Sequence, residues 1–67
     1  MVEIQVNGTA RGLERSMTID ELLRSLDLNP RMVVVEHNGE IIRRDRYEQV
    51  EVTGGDALEL VHFVGGG

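Results

Sequence analysis

A chain of 67 residues with a formal net charge of −5 is read as one small acidic domain. A chain of that length buries only about 60% of the surface its unfolded form exposes, which excludes a deep, enclosed active site. All seven cations are arginine and cysteine is absent, which excludes a Schiff-base lysine, a phosphate-loop lysine, a thiol nucleophile and a disulfide framework.

The same facts bear on partners. Phosphate contacts dominate affinity for nucleic acid, so an acidic domain predicts no nucleic-acid partner and suits a basic protein surface instead. The longest uninterrupted apolar run is Met32–Val35, far short of the roughly 20 residues a membrane helix needs. Glu3 and the absence of an N-terminal apolar run predict no signal peptide. The expectation is a soluble, cytoplasmic chain with no membrane association.

Val2, Ile4 and Val6 alternate with Glu3 and Gln5, the period of a half-buried strand. Asn7-Gly8 follows, and a type I′ turn wants positive φ at both of its central positions, so the pair predicts a hairpin. Residues 9–14 return as a second strand, with Arg11, Gly12 and Arg15 marking a sheet edge. Thr18 and Glu21 have capping-box spacing and predict a helix start. Ile19, Leu22, Leu23 and Leu26 fall at i, i+3, i+4 and i+7, one apolar stripe to lay on a sheet. Asn29-Pro30 is expected to end that helix, because the residue before proline avoids the α region.

Residues 32–35 predict a short apolar strand continued by Glu36-His37, and Asn38-Gly39 a second turn before Ile41 and Ile42. Residues 43–47 are too charged for a core strand and predict a surface loop or a single helical turn, with Tyr47 packing back. Val50 and Val52 suggest a brief strand, Gly54-Gly55-Asp56 a third turn, and residues 57–63 the last strand. The order hairpin, helix, strand, irregular crossing, strand places one main helix across one face of a mixed four- to five-stranded sheet, with the first and last strands paired at its centre. That is an α+β, β-grasp (ubiquitin-like) fold. Its expected division is a domain over 1–64 and a flexible glycine tail over 65–67.

The last strand and the tail carry the functional argument. Leu58 and Leu60 alternate with Glu59 and are expected to face the helix; Val61 and Phe63 then share the opposite face with Glu59. Exposed apolar side chains there, with Val64 next in line, predict a partner-binding patch. A local bulge turning Phe63 inward is the structural alternative. Gly65, Gly66 and Gly67 cannot extend a core, and fully extended they reach roughly 10 Å. They carry the one reactive group this sequence offers, a C-terminal carboxylate that is ionised and a poor electrophile at neutral pH. An ATP-using partner would make it an acyl-adenylate, from which a sulfur nucleophile would displace AMP and leave a thiocarboxylate. His37 and His62 lack ligand spacing and cysteine companions, so no metal site is expected. Arg43, Arg44 and Arg46 are expected to form a solvated loop pairing with Asp45, Glu48 and Glu40, and Asp56 is expected to be ordinary turn chemistry.

The stretch Asn38-Gly39-Glu40-Ile41-Ile42-Arg43-Arg44-Asp45-Arg46-Tyr47, followed by residues 55–67 from Gly55-Asp56 to Gly65-Gly66-Gly67, resembles the sulfur carrier family of thiamine biosynthesis (ThiS). The resemblance spans the whole chain in length and element order, and the turn, apolar strand and glycine ending are its specific part. It implies a protein co-substrate rather than an enzyme, with no cofactor bound by this chain. An E1-like (ThiF-type) adenylyltransferase would use ATP and Mg to adenylate Gly67. A sulfur donor such as a cysteine desulfurase persulfide would give the thiocarboxylate, and a ThiG-type thiazole synthase would take the sulfur. Gly66 is the slim neighbour, and the last strand with its outer face is the dock. Two other classes stay open: a MoaD-type molybdopterin synthase small subunit, which shares fold and Gly-Gly end, and a ubiquitin-like modifier or interaction module.

Overall fold

The computed structural model describes residues 1–63. Strands β1 (Val2–Val6) and β2 (Thr9–Leu13) form an antiparallel hairpin, joined through Asn7 (φ 51) and Gly8 (φ 82). Both φ values are left-handed, as a type I′ turn requires and as Asn and Gly tolerate. The two-residue β3 (Met17–Thr18) leads into helix α1 (Ile19–Ser25). The capping box is present: Thr18 Oγ1 accepts from the Glu21 N–H (3.1 Å), and the Thr18 N–H donates to Glu21 Oε1 (2.9 Å).

Helix α1 stops earlier than Asn29-Pro30 would place it. Leu26 is its C-cap and Asp27 turns left-handed (φ 60). Pro30 instead opens a 3-10 turn, Pro30–Met32, whose N-cap Asn29 accepts the Arg31 N–H at 3.0 Å. Strand β4 (Val33–His37) and the short β5 (Glu40–Ile42) form the second hairpin, with Asn38 (φ 51) and Gly39 (φ 85) at its turn. A 3-10 turn at Arg44–Arg46 delivers Tyr47 to the core; β6 (Glu51–Val52) and β7 (Ala57–His62) complete the described elements.

The main sheet has the order β2-β1-β7-β4-β5, with β7 parallel to β1 and antiparallel to β4. First and last strands thus lie side by side at its centre, as expected for a β-grasp. A separate two-stranded ladder joins β3 to β6. Beside it the Ile19 N–H donates to Val50 O and the Asp20 N–H to Tyr47 O. The irregular crossing segment therefore satisfies the first amides of α1, which no helical carbonyl reaches.

One apolar layer holds these parts together. Ile19, Leu22 and Leu23 from α1 are fully buried against Ile4, Val33, Val35 and Leu58 from the sheet, with Leu13, Tyr47 and Val52 closing the ends. Leu26, the fourth member of the helical stripe, is half-buried at the margin. The Tyr47 hydroxyl donates to Val33 O at 2.7 Å inside this layer, which is how a buried tyrosine avoids an unmet polar group.

Candidate functional site

Strand β7 positions everything near the C-terminal end of the described chain. It runs between two strands, so its inner residues are fixed by packing: Leu58 is buried and Leu60 lies against the core. Alternation turns Glu59, Val61 and Phe63 to the other face. There Val61 is 54% and Phe63 53% exposed. No bulge turns Phe63 inward; its N–H donates to Met32 O at 2.8 Å, continuing the ladder to β4.

The register extends this face. Val34 lies opposite Val61, Glu36 opposite Glu59, and Ile41 opposite Glu36, and cross-strand partners share a face. Ile41 is 69% exposed. On the other side of β7, Glu3 and Gln5 of β1 point the same way, being out of phase with buried Ile4. The outer face is therefore a small apolar strip (Val34, Ile41, Val61, Phe63) interleaved with the carboxylates Glu3, Glu36 and Glu59. Sequence reading finds Val61 and Phe63 but not Val34, Glu36 or Ile41. Their signal is the phase of β4 and β5, which only pairing with β7 fixes. Such a surface suits a partner that is basic and partly apolar. Val64, Gly65, Gly66 and Gly67 lie outside the described residues.

At the far end of β7 a polar cluster closes the sheet. Asp56 accepts from the Thr53 N–H (2.8 Å) and from Asn38 Nδ2 (3.2 Å), and its other contact is His37 Nε2 at 2.8 Å. Asn38 Oδ1 in turn accepts from the Ala57 N–H (2.9 Å). Burial works to raise the Asp56 carboxyl, but the Thr53 amide, the His37 ring and the Asn38 carboxamide outweigh it and hold it below the ordinary aspartate range. Asp56 thus does more than shape a turn: it ties the approach to β7 to the β4–β5 hairpin. A shallow depression of about 320 Å³ lies nearby, lined by His37, Ile42, Arg43, Arg46 and others. It sits at the end of β7 away from Phe63. His62 is exposed, and no cluster of potential metal ligands occurs among the described residues. Arg43 pairs with Asp45 at 3.5 Å as a solvated contact of small energetic worth. No helix among the described residues is long and apolar enough to cross a membrane.

Residues 4–67 match the ThiS family. The chain is 45% identical over 65 residues to the sulfur carrier protein ThiS of Bacillus subtilis, covering 96% of this chain and 98% of that protein. It is 44% identical over 66 residues to a thiazole synthase of Paramagnetospirillum magneticum, where the match covers 98% of this chain and 20% of the relative. The chain therefore spans about a fifth of that relative's length. Among solved structures, it superposes on the crystal structure of a thiamine biosynthesis protein (ThiS) from Geobacter metallireducens with a TM-score of 0.85 and 35% identity, covering 98% of this chain and all of that one. Sheet order, helix placement and sequence agree, and the chain belongs to the ThiS family.

Proposed function

We propose that this chain is the sulfur carrier of a thiamine pathway and that its chemistry resides in Gly67. The single observation that carries the reading is the near full-length similarity to the Bacillus carrier, within a family match that runs through residue 67. Those relatives favour the thiamine branch over a molybdopterin synthase subunit.

The reaction uses the C-terminal carboxylate. An E1-like adenylyltransferase with Mg-ATP converts it to an acyl-adenylate and releases pyrophosphate. This replaces a poor leaving group by AMP. A persulfide sulfur, as on a cysteine desulfurase, attacks the acyl carbon and AMP departs. A thiol of a partner then cleaves the S–S bond and leaves the thiocarboxylate on Gly67. Thiazole synthase takes that sulfur; a thiazole synthase that contains a segment similar to this whole chain supports the pairing. The chain is a co-substrate, not a catalyst. Its domain over 1–64 presents the tail over 65–67, and Gly65 and Gly66 keep that tail slim enough for a narrow channel. Val61, Phe63 and Val64 form the docking patch. Persulfide and thiocarboxylate chemistry belongs in a reducing compartment, so the carrier works in the cytoplasm.

The test is intact mass after incubation with the adenylyltransferase, Mg-ATP and a persulfide donor. The expected result is the gain that replaces one oxygen by sulfur. A chain extended by one alanine after Gly67 should fold identically and gain nothing. An unmodified wild-type chain, or sulfur taken up by the extended chain, would overturn the proposal.

A further inference from the structure

Asn7 does something that a turn asparagine need not do. The ladder between β4 and β7 fixes which way each β7 peptide points. The Asn38 N–H donates to Ala57 O and the Phe63 N–H to Met32 O, both at 2.8 Å. Antiparallel alternation then makes His37–Leu58, Val35–Leu60 and Val33–His62 the pairs without mutual hydrogen bonds. Leu58 and Leu60 consequently turn their N–H and C=O groups toward β1. Strand β1 meets the first of these: the Asn7 N–H donates to Leu58 O at 2.8 Å. There the main chain turns away into its hairpin, and Leu60 loses the strand that would have paired with it.

The Asn7 side chain replaces that strand. Its Oδ1 accepts from the Leu60 N–H at 2.7 Å and its Nδ2 donates to Leu60 O at 3.2 Å. A carboxamide carries one donor and one acceptor in the same geometry as a peptide group. It therefore adds one more register step to the β1–β7 pairing, between residues 53 positions apart. The turn itself asks only for positive φ, which Gly or Asp would also supply. The carboxamide is needed for Leu60 alone. Leu60 is also the last β7 residue that the β1 side holds among the described residues.

We propose that Asn7 is a positioning residue for the C-terminal segment. By holding both backbone groups of Leu60, it fixes the course of β7 through Val61 and Phe63, the end of the described strand from which the chain runs on to Gly67, the residue that the adenylating enzyme acts on. The inference rests on the carrier function proposed above. The Asn7 side chain is spent on the Leu60 backbone and adds no apolar group to the outer face, so its loss should leave binding alone and lower the fraction of docked complexes that react.

The variants are Asn7→Gly, which keeps positive φ and removes the carboxamide, and Asn7→Asp, which keeps the acceptor for the Leu60 N–H and loses the donor. Carrier-dependent ATP–pyrophosphate exchange by the adenylyltransferase is measured against carrier concentration, at a temperature where melting curves show each chain folded. The expectation for Asn7→Gly is a kcat reduced about tenfold, since small misplacements of a reacting group are costly, with KM for the carrier within about twofold of wild type. Asn7→Asp should fall between. In the free chain, ¹⁵N order parameters at Val61 and Phe63 should drop in Asn7→Gly while those of β4 hold. Unchanged kcat, a loss confined to KM, or unchanged order parameters would each overturn the positioning role. A wild-type chain that supports no exchange would instead overturn the carrier function, and the positioning role with it.

Discussion

Phe63→Asp separates the two roles an aromatic residue can have at this point of the chain. A phenylalanine presents about 150–250 Å² for burial. With 53% of it still exposed in the free chain, roughly 80–130 Å² remains for a partner to cover. At about 25 cal/mol per Å² that is roughly 2–3 kcal/mol of association, or about a 30- to 150-fold change in Kd. A carboxylate added beside Glu59, facing a basic partner, shifts charge in the favourable direction and offsets part of the loss, so about 30-fold is expected. Phe63 belongs neither to the buried core nor to the half-buried residues packed against it. Its loss should cost the fold at most about 2 kcal/mol, within the range of a single destabilising substitution. Binding to the adenylyltransferase is read by calorimetry and stability by urea unfolding. A chain that unfolds at ambient temperature would show that Phe63 is a core residue and refute the face assignment. A folded chain with unchanged Kd would refute the docking patch.

Two further predictions concern the scaffold. Asp56 has its carboxyl held below the ordinary aspartate range, so the native state binds fewer protons than the unfolded chain just below pH 4, and stability there rises with pH. The contribution is present above about pH 4 and lost as pH falls through the depressed value; Asp56→Asn should therefore flatten the decline in urea midpoint between pH 5 and pH 2.5, and an identical slope would remove Asp56 from the account. Tyr47→Phe takes away the buried donor to Val33 O and should cost about 1–3 kcal/mol by the same assay, with the m-value unchanged; a neutral substitution would mean that water replaces the hydroxyl.

Much of the fold was legible because short-range patterns carry it. Asn7-Gly8 and Asn38-Gly39 state their turn type in two residues each, Thr18 and Glu21 state a helix start in four, and the stripe from Ile19 to Leu23 states which side is buried. The helix end was not legible. Asp27 adopts a left-handed conformation with no glycine to announce it, while Asn29-Pro30 gives a louder signal that belongs to the next 3-10 turn. Strand β3 has two residues and no period to detect, whereas the brief strand read from Val50 and Val52 is present as β6. The site divides along the same line. Val61 and Phe63 follow from alternation within one strand. Asn7 and Asp56 act through partners supplied by other parts of the chain, and no local pattern encodes those partners.

The outer face also fits the proposed carrier function, in which more than one enzyme is served in turn. A permanent subunit would cover its sheet with a broad apolar surface, and its partner would rarely leave. Here the apolar part is four side chains set among Glu3, Glu36 and Glu59. Carboxylates at the rim of a contact accelerate encounter with a basic surface more than they prolong the complex. A small apolar strip should keep dissociation from the proposed partners fast, since affinity differences between related complexes reside mostly in the off-rate. The order of β7 then has to come from inside the chain rather than from a partner. The two hydrogen bonds of Asn7 to Leu60 and the closure of the opposite end of β7 by Asp56 supply it before any partner arrives. A strand held in this way loses little conformational freedom when a partner docks on it.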